Sequence, residues 1–201
     1  MLNIHTIKLS LRYMKPPVWR RLQVPSATSL AGLHCIIQAA MGWDDCHLHQ
    51  FEVDGRYYAD PAHMLDEATD EATWTLARLR VGQRFGYWYD FGDDWWHDIR
   101  VESIDRADPA LAYPRCVTGC RACPPEDCGG PGGFAALLGA LGDDKHPRHE
   151  FSRDWMRQLG ADGYDPARFD LAEINEALDQ LSAGVQSGQG SAERDTSARL
   201  R

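Results

Sequence analysis

Hydrophobic and polar residues alternate with period two near the start of the chain: Ile7, Leu9 and Leu11 interleave with Lys8, Ser10 and Arg12, predicting a strand with one wet face. Pro16-Pro17 interrupts it, and Val18 to Val24 returns as its partner before Pro25-Ser26. The period then changes. Leu30, Leu33, Ile36, Ile37, Ala40 and Met41 recur at helical spacing behind a Ser29 cap, and Gly42 closes the helix. A ββα unit therefore opens the chain. Strand spacing resumes at His47 to Val53, where Asp54-Gly55 turns the chain into Arg56 to Ala59. Pro61 to Thr73 reads as an acidic loop or irregular helix, followed by a helical turn at Leu76 to Leu79.

The richest stretch is Tyr87 to Ile99, YWYDFGDDWWHDI, in which two aromatic runs meet at Gly92-Asp93-Asp94 and predict a further hairpin. Its faces follow from the pleat. Phe85, Tyr87 and Tyr89 share one side of the first strand; Trp95, His97, Ile99 and Val101 share one side of the second, with Trp96, Asp98, Arg100 and Glu102 opposite. His97 is thereby expected to point inward. From 105 to 133 the pattern breaks into Pro, Gly, Cys and acid and predicts one long ordered loop. Short helices are expected at Phe134 to Leu141 and around Phe151, Trp155 and Leu159. A last helix buries Leu171, Ile174, Leu178 and Leu181 behind an Asp170/Glu173 capping box. The fold class expected is α+β: one domain over 1–182, an antiparallel or mixed curled sheet of hairpins with helices packed on it, and a disordered tail over 183–201. No internal repeat is evident.

Composition narrows the function classes. The 201 residues are 43% hydrophobic and 25% charged, ordinary for a globular protein. No apolar run suits a membrane span, and the N-terminus lacks the basic and apolar segments of an export signal, so a cytoplasmic protein is expected. The formal net charge is −9, yet residues 1–43 carry +5 and no acid, leaving −14 for the rest. An acidic body argues against non-specific nucleic-acid binding.

Three constellations carry candidate chemistry. Cys116, Cys120, Cys123 and Cys128 form C-x3-C-x2-C-x4-C, which supplies either four thiolates to a structural zinc or a set of reduced or partly paired loop thiols. His47 and His49 stand at i and i+2 on a strand face, and His97 completes a three-imidazole metal site if the two hairpins are neighbours, with Asp90 or Asp93 as fourth ligand or base. Pro124-Pro125-Glu126-Asp127 presents two carboxylates that serve a metal, a proton transfer or a helix cap. The candidate catalytic residues are thus Asp90, Asp93, Glu126 and Asp127, and zinc is the expected cofactor if either cluster holds an ion. G-x-S-x-G, G-x-x-x-x-G-K and H-E-x-x-H are all absent.

Five segments, KPPVWRR (15–21), GWDDCHLHQF (42–51), YDFGDDWWHDI (89–99), PRC (114–116) and ACPPEDCGGPGGF (122–134), resemble in the same order the root-inducing-plasmid ORF-three-like family. The resemblance spans roughly 4–181. It implies a single α+β domain of plasmid or mobile-element origin and assigns no reaction. It carries His47, His49, Asp90, Asp93, His97, Cys116, Cys123, Glu126 and Asp127 as motif positions. Cys120 and Cys128 depart from the pattern, which favours a mixed Cys/His site over four thiolates. A serine-resolvase role does not fit the acidic charge or the lack of a basic recognition helix. The expected function is a binding or accessory module, zinc-stabilised if a site is filled. The rivals are a metal-dependent hydrolase, with nucleic acid among its substrates, and a protein-interaction domain using Trp88 and Trp96.

Overall fold

The computed structural model describes residues 2–196, with side chains to 183. Eight strands form one sheet: β1 (Asn3–Leu11), β2 (Trp19–Pro25), β3 (His49–Val53), β4 (Arg56–Ala59), β5 (Thr69–Asp70), β6 (Arg84–Tyr89), β7 (Trp95–Arg106) and β8 (Arg115–Cys120). Their order is β5-β4-β3-β6-β7-β1-β2-β8, antiparallel except for the parallel β4–β5 pair. The sheet is mixed and open. Among the described residues four α-helices accompany it: α1 (Leu30–Met41), α2 (Gly130–Gly142), α3 (His149–Gln158) and α4 (Leu171–Thr196).

The pleat sorts side chains as the alternation predicts. Ile7, Leu9, Leu22, Val24, Trp95, Ile99 and Val101 are buried on the inner face, where Leu33, Ile36 and Ile37 of α1 join them in one core. On the outer face Lys8 lies 4.6 Å above the Trp19 ring and Arg12 4.8 Å above Trp96, while Trp88 and Trp96 stack at 4.9 Å. Arg12–Asp98 and Arg21–Glu102 pairs cross the same surface. The three tryptophans Trp19, Trp88 and Trp96 on this face are thus partly covered by cations or by one another.

The cap of α1 forms as expected. Ser29 Oγ accepts from Gly32 N, and Gly42 adopts the left-handed conformation with its N–H on Gln38 O. Ser29→Ala is expected to cost about 1 kcal/mol in urea unfolding, with an unchanged m-value.

Several expectations need correction. The 105–133 stretch contains β8, which pairs with β2 through Leu22↔Cys116 and Trp19↔Cys120 and so forms the sheet edge. Asp170 caps α4 by accepting from Ala172 N and Glu173 N, but Glu173 turns to Arg168 (2.9 Å), so the cap is not a reciprocal box. The backbone of α4 runs helically to Thr196, through most of the stretch expected as a tail; residues 197–201 lie outside the described residues. Among the described residues, no helix is long and apolar enough to cross a membrane.

Candidate metal centre

Three turns converge at one end of the sheet. The first follows α1: Trp43 Nε1 donates to Pro124 O (3.0 Å), and Asp44 N donates to Glu126 Oε1 (3.0 Å). The second is the β6–β7 turn, where Asp90 takes a positive φ of 52° and its Oδ1 accepts from Gly92 N (2.9 Å) and Asp93 N (3.2 Å). Aspartate suits that place because its short carboxylate bonds the backbone two residues on and tolerates the left-handed region. The third is the Pro124–Gly130 loop, anchored to the second by Asp93 Oδ2, which accepts from Gly129 N (2.9 Å). At Gly130 (φ 66°) a Cβ would overlap the Asp93 carbonyl oxygen, so only glycine allows this approach.

These contacts bring three carboxylates around His47 Nε2 in two overlapping groups, His47 with Asp90 and Asp127, and His47 with Glu126 and Cys46, each with its donor atoms within 4.8 Å of one another. His47 Nε2 lies 3.2 Å from Asp127 Oδ1, 3.6 Å from Asp90 Oδ2 and 3.8 Å from Glu126 Oε2. Two of these atoms, His47 Nε2 and Glu126 Oε2, are buried without a hydrogen-bond partner. Donors about 2.1 Å from one ion at tetrahedral angles are about 3.4 Å apart, the range seen around Nε2. The other oxygens of two carboxylates are already engaged: Asp90 Oδ1 by the turn, and Glu126 Oε1 by Asp44 N and the Tyr89 hydroxyl (3.0 Å). Such outer contacts orient ligands toward a metal. Burial raises the Glu126 carboxyl above its ordinary range, against the hydrogen bonds from Asp44 and Tyr89 that lower it. Asp127 is 68% exposed and His47 26%, so the point is open on one side.

A second cluster lies beside it. His34 Nε2 bonds Asp45 Oδ1 (2.7 Å) and its Nδ1 meets the Tyr87 hydroxyl (2.8 Å); His49 Nε2 lies 3.0 Å from Glu71 Oε2. Burial, then the neighbouring His49, takes the His34 pKa down to about 4. The His34 and His49 rings stack 3.5 Å apart and 5° from parallel, so their in-plane lone pairs run side by side. This favours two histidine–carboxylate pairs over a shared ion, although donor atoms of His34, Asp45 and His49 lie within 4.8 Å of one another. A cleft of about 540 Å³ is lined by His34, Asp45, His49 and Glu71, and also by His47.

The three imidazoles expected to share a site thus occupy three environments. His47 joins the carboxylates, His49 joins Glu71 and His34, and His97 is sealed between Tyr87 and Trp43 with Nδ1 on Trp95 O (3.1 Å). The hairpins are indeed neighbours, with His49↔Tyr89 and Tyr87↔His97 in register. However, His97 faces the core behind Tyr87, too deep to meet the turn residues. Asp93 anchors the loop instead of facing His47 Nε2. Among the described residues, no three of Cys116, Cys120, Cys123 and Cys128 bring their sulfurs within 4.8 Å of one another; the Cys116 thiol donates to Thr118 O. Extended pairing of Cys116 and Cys120 in β8 splits the C-x3-C pair along a strand. The sequence reading missed His34, Asp45 and Glu71; a lone histidine on the apolar stripe of α1 was the available signal.

The sequence model of the plasmid pRiA4b ORF-3-like proteins matches residues 3–173. The chain belongs to the plasmid pRiA4b ORF-3-like family. An uncharacterized protein of this kind of sequence, y4hQ of Sinorhizobium fredii (strain NBRC 101917 / NGR234), is 34% identical over 187 residues, covering 90% of this chain and 93% of y4hQ. The crystal structure of MM3350 from Methanosarcina mazei Go1, a protein of unknown function, superposes with a TM-score of 0.79 at 33% identity, covering 86% of this chain and 98% of MM3350.

Proposed function

We propose that this pRiA4b ORF-3-like protein is a divalent-metal-binding module whose ligands are His47, Asp90 and Asp127, with Glu126 beside them. The observation that carries the reading is the pair of orphaned, buried atoms, His47 Nε2 and Glu126 Oε2, facing each other with two further carboxylate oxygens around Nε2. A buried polar atom without a partner costs about 1–3 kcal/mol, and an ion beside His47 Nε2 supplies one for the imidazole. One imidazole and two carboxylates suit Zn²⁺ or Mn²⁺, borderline and hard ions that accept nitrogen and oxygen together. Zinc, if bound here, is held by this set and not by Cys116, Cys120, Cys123 and Cys128.

Titration of Zn²⁺ into metal-stripped protein, followed by calorimetry, is the test. One ion per chain is expected, retained when Cys123 and Cys128 are both changed to Ser. Tyr89→Phe removes the hydroxyl from Glu126 Oε1 and is expected to weaken binding about 10–100-fold. No saturable binding, or binding lost with the cysteines, overturns the reading.

The cleft next to His47 favours a second reading, metal-dependent hydrolysis. An ion held with one side open would lower the pKa of a bound water, and the adjoining cavity lined by His34 and Asp45 gives room for a substrate beside it.

A further inference from the structure

A groove of about 590 Å³ lined by α2 and α3 reaches Asp127. Its volume suits a small molecule. The floor is apolar: Ala136, Leu137 and Ala140 of α2 face Trp155 of α3, and at the mouth Phe151 stands 63% exposed. Arg148 crosses that mouth with its guanidinium 5.5 Å from the Phe151 ring centroid, and among the described residues it has no carboxylate within ion-pair distance. Asp127 is the one acid on the lining, and a bound ion would neutralise it.

Gly139 points the same way. It sits in the interior of α2 without a positive φ, where glycine costs about 1 kcal/mol relative to alanine, and a Cβ there would meet nothing within 4 Å. Neither backbone nor packing requires glycine. What its missing side chain leaves is the open floor of the groove.

We infer that this groove binds a small organic anion, its aromatic or aliphatic body on the α2 floor against Trp155, its charged group on Arg148, and its far end beside the ion at Asp127. The inference rests on the metal-binding reading for that last contact only. Charge complementarity selects the occupant: a cationic mouth at Arg148 and an apolar floor, with the inner end no longer negative once an ion sits at Asp127. A neutral apolar molecule leaves Arg148 unused, and a peptide strand finds no free sheet edge here.

The probe is 8-anilinonaphthalene-1-sulfonate, an aromatic body with one anionic group, compared with neutral N-phenyl-1-naphthylamine, both followed by fluorescence. One saturable sulfonate site is expected. Gly139→Leu fills the floor and is expected to lower affinity for both probes at least about tenfold with an unchanged near-ultraviolet circular dichroism spectrum. Arg148→Ala is expected to weaken the sulfonate about tenfold and the neutral probe less than about twofold. Mn²⁺ is expected to broaden the proton resonances of bound sulfonate probe in the wild type and not in His47→Ala, which still binds the probe. Equal affinity in Gly139→Leu, or an equal effect of Arg148→Ala on both probes, overturns the groove assignment whatever the metal does. Probe binding that behaves as expected with no Mn²⁺ bound leaves the groove in place and removes the metal reading alone. Mn²⁺ bound without broadening overturns the contact at Asp127.

Discussion

Gly130→Ala, which alters no ligand, is expected to weaken Zn²⁺ binding about 100-fold or more and to approach the loss caused by His47→Ala. Gly130 has φ 66°, and its Cβ position falls on the Asp93 carbonyl oxygen, a backbone atom that cannot rotate away. The left-handed conformation alone costs a side-chain-bearing residue about 1–2 kcal/mol. The overlap is relieved only by moving the loop from the β6–β7 turn, which also stretches the Gly129 N–H to Asp93 Oδ2 bond of 2.9 Å. Glu126 and Asp127 ride on that loop, while Asp90 stays with the turn and His47 with the approach to β3. The ligand set therefore comes apart between its two halves. Gly132→Ala, two residues on in the same helix, where a Cβ meets nothing within 4 Å, is the control and is expected to bind like the wild type. Calorimetry on the three variants decides the matter, and wild-type affinity in Gly130→Ala would show that the loop contact does not hold the ligands.

The hairpins and α1 were legible in the sequence because each is specified locally. Ile7 to Leu11 and Trp95 to Val101 carry period two, and Ser29 and Gly42 mark the ends of a helical stripe. β8 was not legible. Arg115 to Cys120 has only Cys116 buried and owes its strand form to pairing with β2, a partner about a hundred residues away in a tertiary choice that composition does not encode. The centre divides in the same way. His47, Asp90, Glu126 and Asp127 were each visible as chemistry-bearing positions, since imidazoles and paired acids beside Pro and Gly stand out. Their grouping was not, because period two places His47 with His49, whereas β3 begins only at His49 and the chain before it turns His47 toward the Pro124 loop. His97 was correctly placed inward by the pleat. The pleat fixes the face of a residue but not its depth along the strand axis, and depth is what separates His97 from the turn.

That burial carries its own consequence: acidification from pH 7 to pH 4 is expected to cost the fold about 3 kcal/mol through His97 alone. The ring is fully buried, and removal from water takes its pKa from 6.5 to about 3, against the raising effect of the backbone carbonyls of Tyr87 and Trp95. Nδ1 donates to Trp95 O, and Nε2 has no hydrogen-bond partner, so burial outweighs what the backbone carbonyls offer a second proton. In the unfolded chain the imidazole protonates near pH 6.5; in the folded chain it stays neutral until about pH 3. The unfolded state thus binds one more proton across that window. Stability from this group is complete above pH 6.5 and falls by about 1.4 kcal/mol per pH unit below it. His97→Phe keeps an aromatic ring against Tyr87 and Trp43 and removes the titration. Urea unfolding at several pH values is expected to give the wild type a steeper loss than His97→Phe between pH 6 and pH 4, the difference amounting to about one proton, since carboxylates and the other histidines titrate in both. Parallel pH profiles for the two proteins would mean that water or a counter-charge reaches the ring, and that the cage formed by Trp43, Tyr87 and Trp95 opens on the timescale of protonation.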